Sequence, residues 1–481
     1  MKYFFAKNLF DVNPVTLREM RQMVRSRIVS SGLTLFLMFQ LIAVAFAIIM
    51  PTSAYSHTQK GGHVIFAVNL MLVFALLLGI PIFIHARMSA ERNSDNLDLQ
   101  FTTAIKPVQF VDGKAASAFI LILLFAGTSL PFMMLAYILG GVDVFDILTG
   151  FSTMVACSIC VTYFMLAAGS LLISRVFRTV VLIILLNFMF PFCIGIMSFS
   201  SSGGIGGTNA KIVFLCLAVM ASACLLLRAI CTAILSPRHA NRDMPLRRLV
   251  LSLWAAWGVA ASCFAACDAE AWIFYAWGSG FTFLFLLFVL VSLSTADSSG
   301  HRVLCDVSRR PFIRRLQFPL FSGWENGVVF GITSGFISIL CAYAVSFIVF
   351  PGETEDNNRF AMTLLSLFSY VIAYTVTIRV LWNVFLHRIS EYRTVGIISV
   401  VLMFAMSIIP PVINAAGNDN AAMFWPGAVS GVFDKDLLQY HLIVSAVWCG
   451  IVLVLLSKYI RDGFNRFRRP ETAGCIPGEE K

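Results

Sequence analysis

The chain has 481 residues, 59% of them hydrophobic and 12% charged, with a mean hydropathy of +0.85. That balance excludes a string of soluble domains. A net charge of +10 would suit nucleic acid, but the basic residues gather in alternate loops between apolar runs, so nucleic acid is not the expected partner.

Apolar runs of about 18–25 residues recur along the chain, each long enough to cross a bilayer. The expected fold is an all-α polytopic transmembrane helical bundle. About twelve spans are placed near 32–50, 64–86, 116–139, 149–174, 179–199, 211–235, 249–267, 271–294, 327–350, 361–384, 395–413 and 439–457. With the N-terminus inside, 30 of the 35 Lys and Arg fall on the inner side, four on the outer, and Arg228 lies within a span. This bias fixes the orientation and puts both termini in the cytoplasm.

Residues 1–31 read as an amphipathic interfacial elbow helix. Asn13 is a good cap and Pro14 a good first residue. Leu17, Met20, Val24 and Ile28 share one face, with Arg18, Arg21, Gln22 and Arg25 on the others. The pattern suits a helix in the headgroup layer, making membrane lipid a partner; a plain basic flank to the first span is the alternative. Residues 32–240 form a first six-span bundle, 241–470 a second, and 471–481 a cytoplasmic tail. No repeat between the halves is visible in the residues.

The polar loop 91–114, ERNSDNLDLQFTTAIKPVQFVDGK, reads as two short helices broken by a turn. Ser94 or Asp95 caps the first, Leu97 and Phe101 lie four apart on one face, and Pro107 opens the next helix. Helical order between two spans points to a docking surface. The other long inner loop, 295–326, carries RRPFIRRLQFPLF, whose basic-aromatic composition fits lipid headgroups or a cytoplasmic protein.

The cysteines mostly sit inside apolar runs, where a thiol packs as a small hydrophobe, so no disulfide framework is expected. Cys157 and Cys160 form a lone CxxC, read as packing. No metal-ligand spacing, Walker A motif or catalytic constellation occurs, which leaves no implied metal, cofactor or enzyme chemistry. Among intramembrane polar residues, Gln40, Asn69 and Asn187 read as interhelical glue. Arg228 either snorkels to the headgroups or lines an anionic path. Glu325 and Asn326 open a span, where a carboxylate complements the helix dipole.

Two stretches carry a resemblance. Asn13, Pro14, Arg18, Glu19 and Arg21 match an NP…RE-x-R elbow. Glu91, Arg92, Leu97, Asp98, Leu99, Thr102, Thr103, Ile105, Val111, Gly113 and Lys114 match ER…LDL…TT…V-x-GK. Together they resemble the permease subunits of type-2 ABC exporters, over roughly residues 10–240. Asn96 and Ala104 depart from that pattern. The resemblance implies a permease of the bacterial inner membrane, driven by a separate cytoplasmic ABC ATPase and paired with a second copy or a sibling permease. Loop 91–114 would be its coupling helix, with Leu97, Leu99, Phe101 and Ile105 as knobs in a groove of the ATPase. Glu91, Arg92 and Asp98 would set register by paired charge. Alternatively, LDLQF packs on this chain's own inner surface. The competing function is a twelve-span secondary transporter driven by an ion gradient. Against it stand the short central loop 236–248 and the near-absence of carboxylates within spans.

Overall fold

The computed structural model describes residues 13–49, 60–93, 105–140, 142–170, 209–237, 241–268, 272–293, 301–349, 354–381 and 438–468. Every element among them is helical. A long apolar segment in a bilayer must satisfy its backbone groups internally, and only a helix does this within one segment. Nine of the described helices are long and apolar enough to cross a membrane. The expected spans 179–199 and 395–413 lie outside the described residues. The expected span 249–267 is helical without being one of the nine.

The chain divides into two compact units, 1–236 and 237–481. In the first, α1 (Pro14–Val24) leads directly into α2 (Arg27–Ile49), which therefore starts ahead of the expected residue 32. The next span joins α3 (Lys60–Val73) to α4 (Ile80–Asn93) through a π turn, Phe74–Gly79. Then come α5 (Pro107–Ile138), α6 (Val144–Ser170) and α7 (Asn209–Leu235). Helix α5 packs on α1 and α3, and α6 on α4 and α7. The core runs through Val68, Leu72, Leu76, Phe110, Ile122 and Ala126. Outside it, α2 turns Leu35, Phe39, Ile42 and Phe46 outward, as a lipid-facing helix does.

The second unit comprises α8 (Asp243–Asp268), α9 (Trp272–Leu293), the short α10 (His301–Cys305) and α11 (Pro311–Gln317), a 3₁₀ turn at Phe318–Leu320, α12 (Trp324–Val349), α13 (Thr354–Leu381) and α14 (Leu438–Arg466). Among the described helices of this unit, α9 and α12 share the most extensive contact. On α12, Gly327, Gly331 and Gly335 form a stripe of period four. A Cβ at Gly331 would lie 2.4 Å from Val289 Cγ2 and 2.8 Å from the Phe285 carbonyl oxygen. Between helices in lipid, where burial of apolar surface gives no net drive, such close backbone approach is what binds them.

From α2 and from α8 onward, the two units run through the same order. Two long helices are followed by a polar stretch, two more long helices, a stretch outside the described residues, and a last long helix. The residues themselves show no such repeat. Eight described cysteines, Cys157 and Cys160 among them, are free thiols, while Cys305 is disulfide-bonded, although no disulfide framework was expected.

Candidate functional site

Helix α1 begins where Asn13 and Pro14 direct it: Asn13 Oδ1 accepts from the Val15 amide at 3.0 Å. The Asn13 side-chain amide donates to the Gln109 carbonyl, on the first turn of α5. One turn further on, Val15 lies against Gly113, where an added Cβ would come within 2.7 Å of Val15 Cβ. Thr16 Oγ1 donates to the Gly113 carbonyl at 3.4 Å. The Gly-Lys pair thus serves two ends: the glycine lets α1 approach, and the lysine then reaches under it.

That lysine is the centre of a buried chain of charge. Lys114 Nζ lies 2.9 Å from Glu19 Oε1 on α1 and 2.9 Å from Glu91 Oε1 on α4. The other oxygen of Glu19 lies 2.9 Å from Arg87, which also donates to Gln22 Oε1. Arg87 and Glu91 stand four apart on α4 and so present both charges on one face. Two carboxylates and two cations alternate as Arg87–Glu19–Lys114–Glu91, with Glu19 only 4% exposed. The set carries no net charge, which makes its burial tolerable. Lys114 also lies over the Phe110 ring, 5.2 Å from its centroid.

The opposite side of α5 carries a second, more exposed ion pair. Arg228 on α7 meets Asp112 through two parallel contacts of 2.6 Å, the forked geometry that guanidinium and carboxylate favour. Arg228 is thus engaged by a carboxylate on the neighbouring helix, a partner that the residue pattern does not show. The first two turns of α5 are therefore tied to α1, α4 and α7 at once.

The expected site residues distribute unevenly around this junction. Glu91, expected to set register with a partner, pairs through Oε1 with Lys114 of this chain. Ile105, expected as a knob, is half-buried against the unit's own core. Leu97, Asp98, Leu99 and Phe101 lie outside the described residues, and Arg92 is placed only as part of α4. On α1, Arg18 and Arg21 are exposed, as are Leu17 and Val24, while Val15, Thr16, Glu19 and Met23 form the buried stripe. Asn69 is buried in α3. Gln40 is fully buried, and its amide meets no hydrogen-bonding group among the described residues, so it does not glue helices there. Asn187 lies outside the described residues.

Between α2, the π turn, α4 and α5 opens an apolar groove of about 380 Å³, walled by Phe36, Phe39, Phe74, Phe83 and Phe125. A π turn interrupts the regular helical ladder and often marks a functional position. The residue pattern gave no warning of it. Among the described residues, no cluster of His, Cys, Asp and Glu could hold a metal ion.

Comparison with protein families, curated proteins and solved structures finds no match.

Proposed function

We propose that this chain is the membrane-spanning permease of an ATP-driven exporter, moved by a separate ATP-hydrolysing subunit that docks on loop 91–114. The observation that supports this reading is the convergence of Glu19, Glu91 and Lys114 on one buried ion-pair chain. These are charged positions of the two stretches that resemble type-2 ABC permeases, and they lie far apart in sequence. The segment 94–104 is bracketed by this junction. A displacement applied there would pass through α4 and α5 to α1 and, through Asp112 and Arg228, to α7. Rigid transfer of this kind lets a small movement at a docking loop swing a bundle between two packings.

In this reading the chain crosses the bacterial inner membrane about twelve times with both termini cytoplasmic. Helix α1 lies in the headgroup layer, with Leu17 and Val24 toward lipid and Arg18 and Arg21 toward phosphate. The ATP chemistry belongs to the partner. The apolar groove beside the π turn suits an amphipathic or lipid-like cargo.

Photocrosslinking tests the docking claim. With p-benzoylphenylalanine in place of Phe101, irradiation of intact membranes should join the chain to a polypeptide carrying a phosphate-binding G-x-x-x-x-G-K-[ST] motif. Adducts confined to this chain's own residues would refute it.

A further inference from the structure

We infer that α11 is a second docking surface for the same ATP-hydrolysing subunit, so that one chain engages two copies of it; this rests on the permease reading above. Three observations lead there.

The first is position. In each unit the polar stretch between the second and third long helices occupies the same place in the element order. In the first unit that stretch contains the proposed docking loop; in the second it contains α10 and α11. Units built in the same order and meeting the partner at the equivalent stretch would take one partner each.

The second is mounting. The Ser308 amide donates to Gln317 Oε1 at 2.9 Å, closing the loop that carries α11. Phe318, just after α11, sets its ring edge-on to Phe464 and Phe467 near the end of α14. Arg314 lies over Phe464, 5.1 Å from its centroid. Arg247 on α8, almost fully buried, donates to the carbonyls of Pro319 and Phe321 at 2.7 and 2.6 Å. At the start of α12, Glu325 pairs with Arg466 of α14 at 3.0 Å. A movement of α11 is thereby transmitted to α8, α12 and α14. Contact with lipid headgroups needs no such bracing, whereas a contact that bears force does.

The third is the outward face. Phe312 and Leu316, four apart on α11, are 77% and 66% exposed. Their spacing repeats that of Leu97 and Phe101. Exposed Arg309, Arg310 and Arg315 surround them. Apolar anchors inside a charged rim are the usual anatomy of a protein docking site, and this rim calls for an acidic border on the partner.

The test is the stoichiometry of the complex extracted in mild detergent, read by native mass spectrometry. The wild-type chain should carry two ATP-hydrolysing subunits. Phe312→Asp with Leu316→Asp should carry one, as should Leu97→Asp with Phe101→Asp, and all four substitutions together should carry none. Phe312 and Leu316 are exposed, so their replacement should leave the Tm of the permease unchanged, which checks that the fold survives. A wild-type complex of two chains with two ATP-hydrolysing subunits would overturn the inference. So would two subunits remaining after Phe312→Asp with Leu316→Asp, the result expected if α11 meets lipid. An absence of any ATP-hydrolysing subunit from the wild-type complex would instead refute the permease reading beneath it.

Discussion

Glu19 and Lys114 are separated by 95 positions in the chain and by 2.9 Å in space. Their contact makes a short amphipathic helix part of the base of the third span. It leaves each partner dependent on the other, since an ion buried without its counterpart costs several kcal/mol. Lys114→Met should therefore destabilise the protein by about 3–5 kcal/mol, because Glu19 and Glu91 would both lose their shared cation. Adding Glu19→Gln should recover part of that loss, a coupling that a double-mutant cycle in thermal unfolding would measure. Simple additivity of the two changes would contradict the geometry.

Gly113→Ala tests the close approach of α1 to α5. The new methyl meets Val15 Cβ, on a helix that cannot easily shift. The expected cost is about 1–3 kcal/mol, with α1 released to limited proteolysis. Val15→Gly in the same chain, which removes the Cβ that the new methyl meets, should restore close approach and protection, whereas Val15→Ala, which keeps that Cβ, should not.

The Arg228–Asp112 pair is more than a third exposed on both sides, so its worth is smaller. Arg228→Ala should lower stability by no more than about 1 kcal/mol. Exchanging the two residues, Arg228→Asp with Asp112→Arg, should return the melting temperature to near that of the wild type. A snorkelling arginine would give no such recovery.

In the second unit, Gly331→Ala should separate α9 from α12 at a cost of about 1–3 kcal/mol, since both the Val289 side chain and the Phe285 carbonyl stand in the way. Gly280→Ala, on the same helix pair but with open space around it, is the control and should be neutral. Equal effects at the two positions would show that helix propensity, and not the close approach, decides the outcome.

Some of this was legible in the residues. Asn13-Pro14 and Pro107 mark helix starts by local chemistry, and the structure begins α1 and α5 there. Run length located the long helices because hydropathy is summed locally. The ion-pair chain was hidden, since no local rule says that Lys114 meets Glu19 and Glu91 instead of water. For the same reason the residues alone pair neither Arg228 with Asp112 nor Glu325, at its helix start, with Arg466. The Gly327–Gly331–Gly335 stripe did stand in the sequence at a spacing that signals close packing in membranes. The shared order of the two units became visible only with the elements laid out, because equivalent positions carry different residues.

The central claim is that a soluble ATP-hydrolysing subunit grips the chain between its second and third long helices. It is tested most directly by purifying the tagged chain from its native membranes and measuring bound ATP hydrolysis, with and without Leu97→Asp and Phe101→Asp. The account predicts ATPase activity that accompanies the wild-type chain and is reduced by half or more in the double variant, with equal amounts of folded protein. Activity that accompanies both chains equally would contradict it.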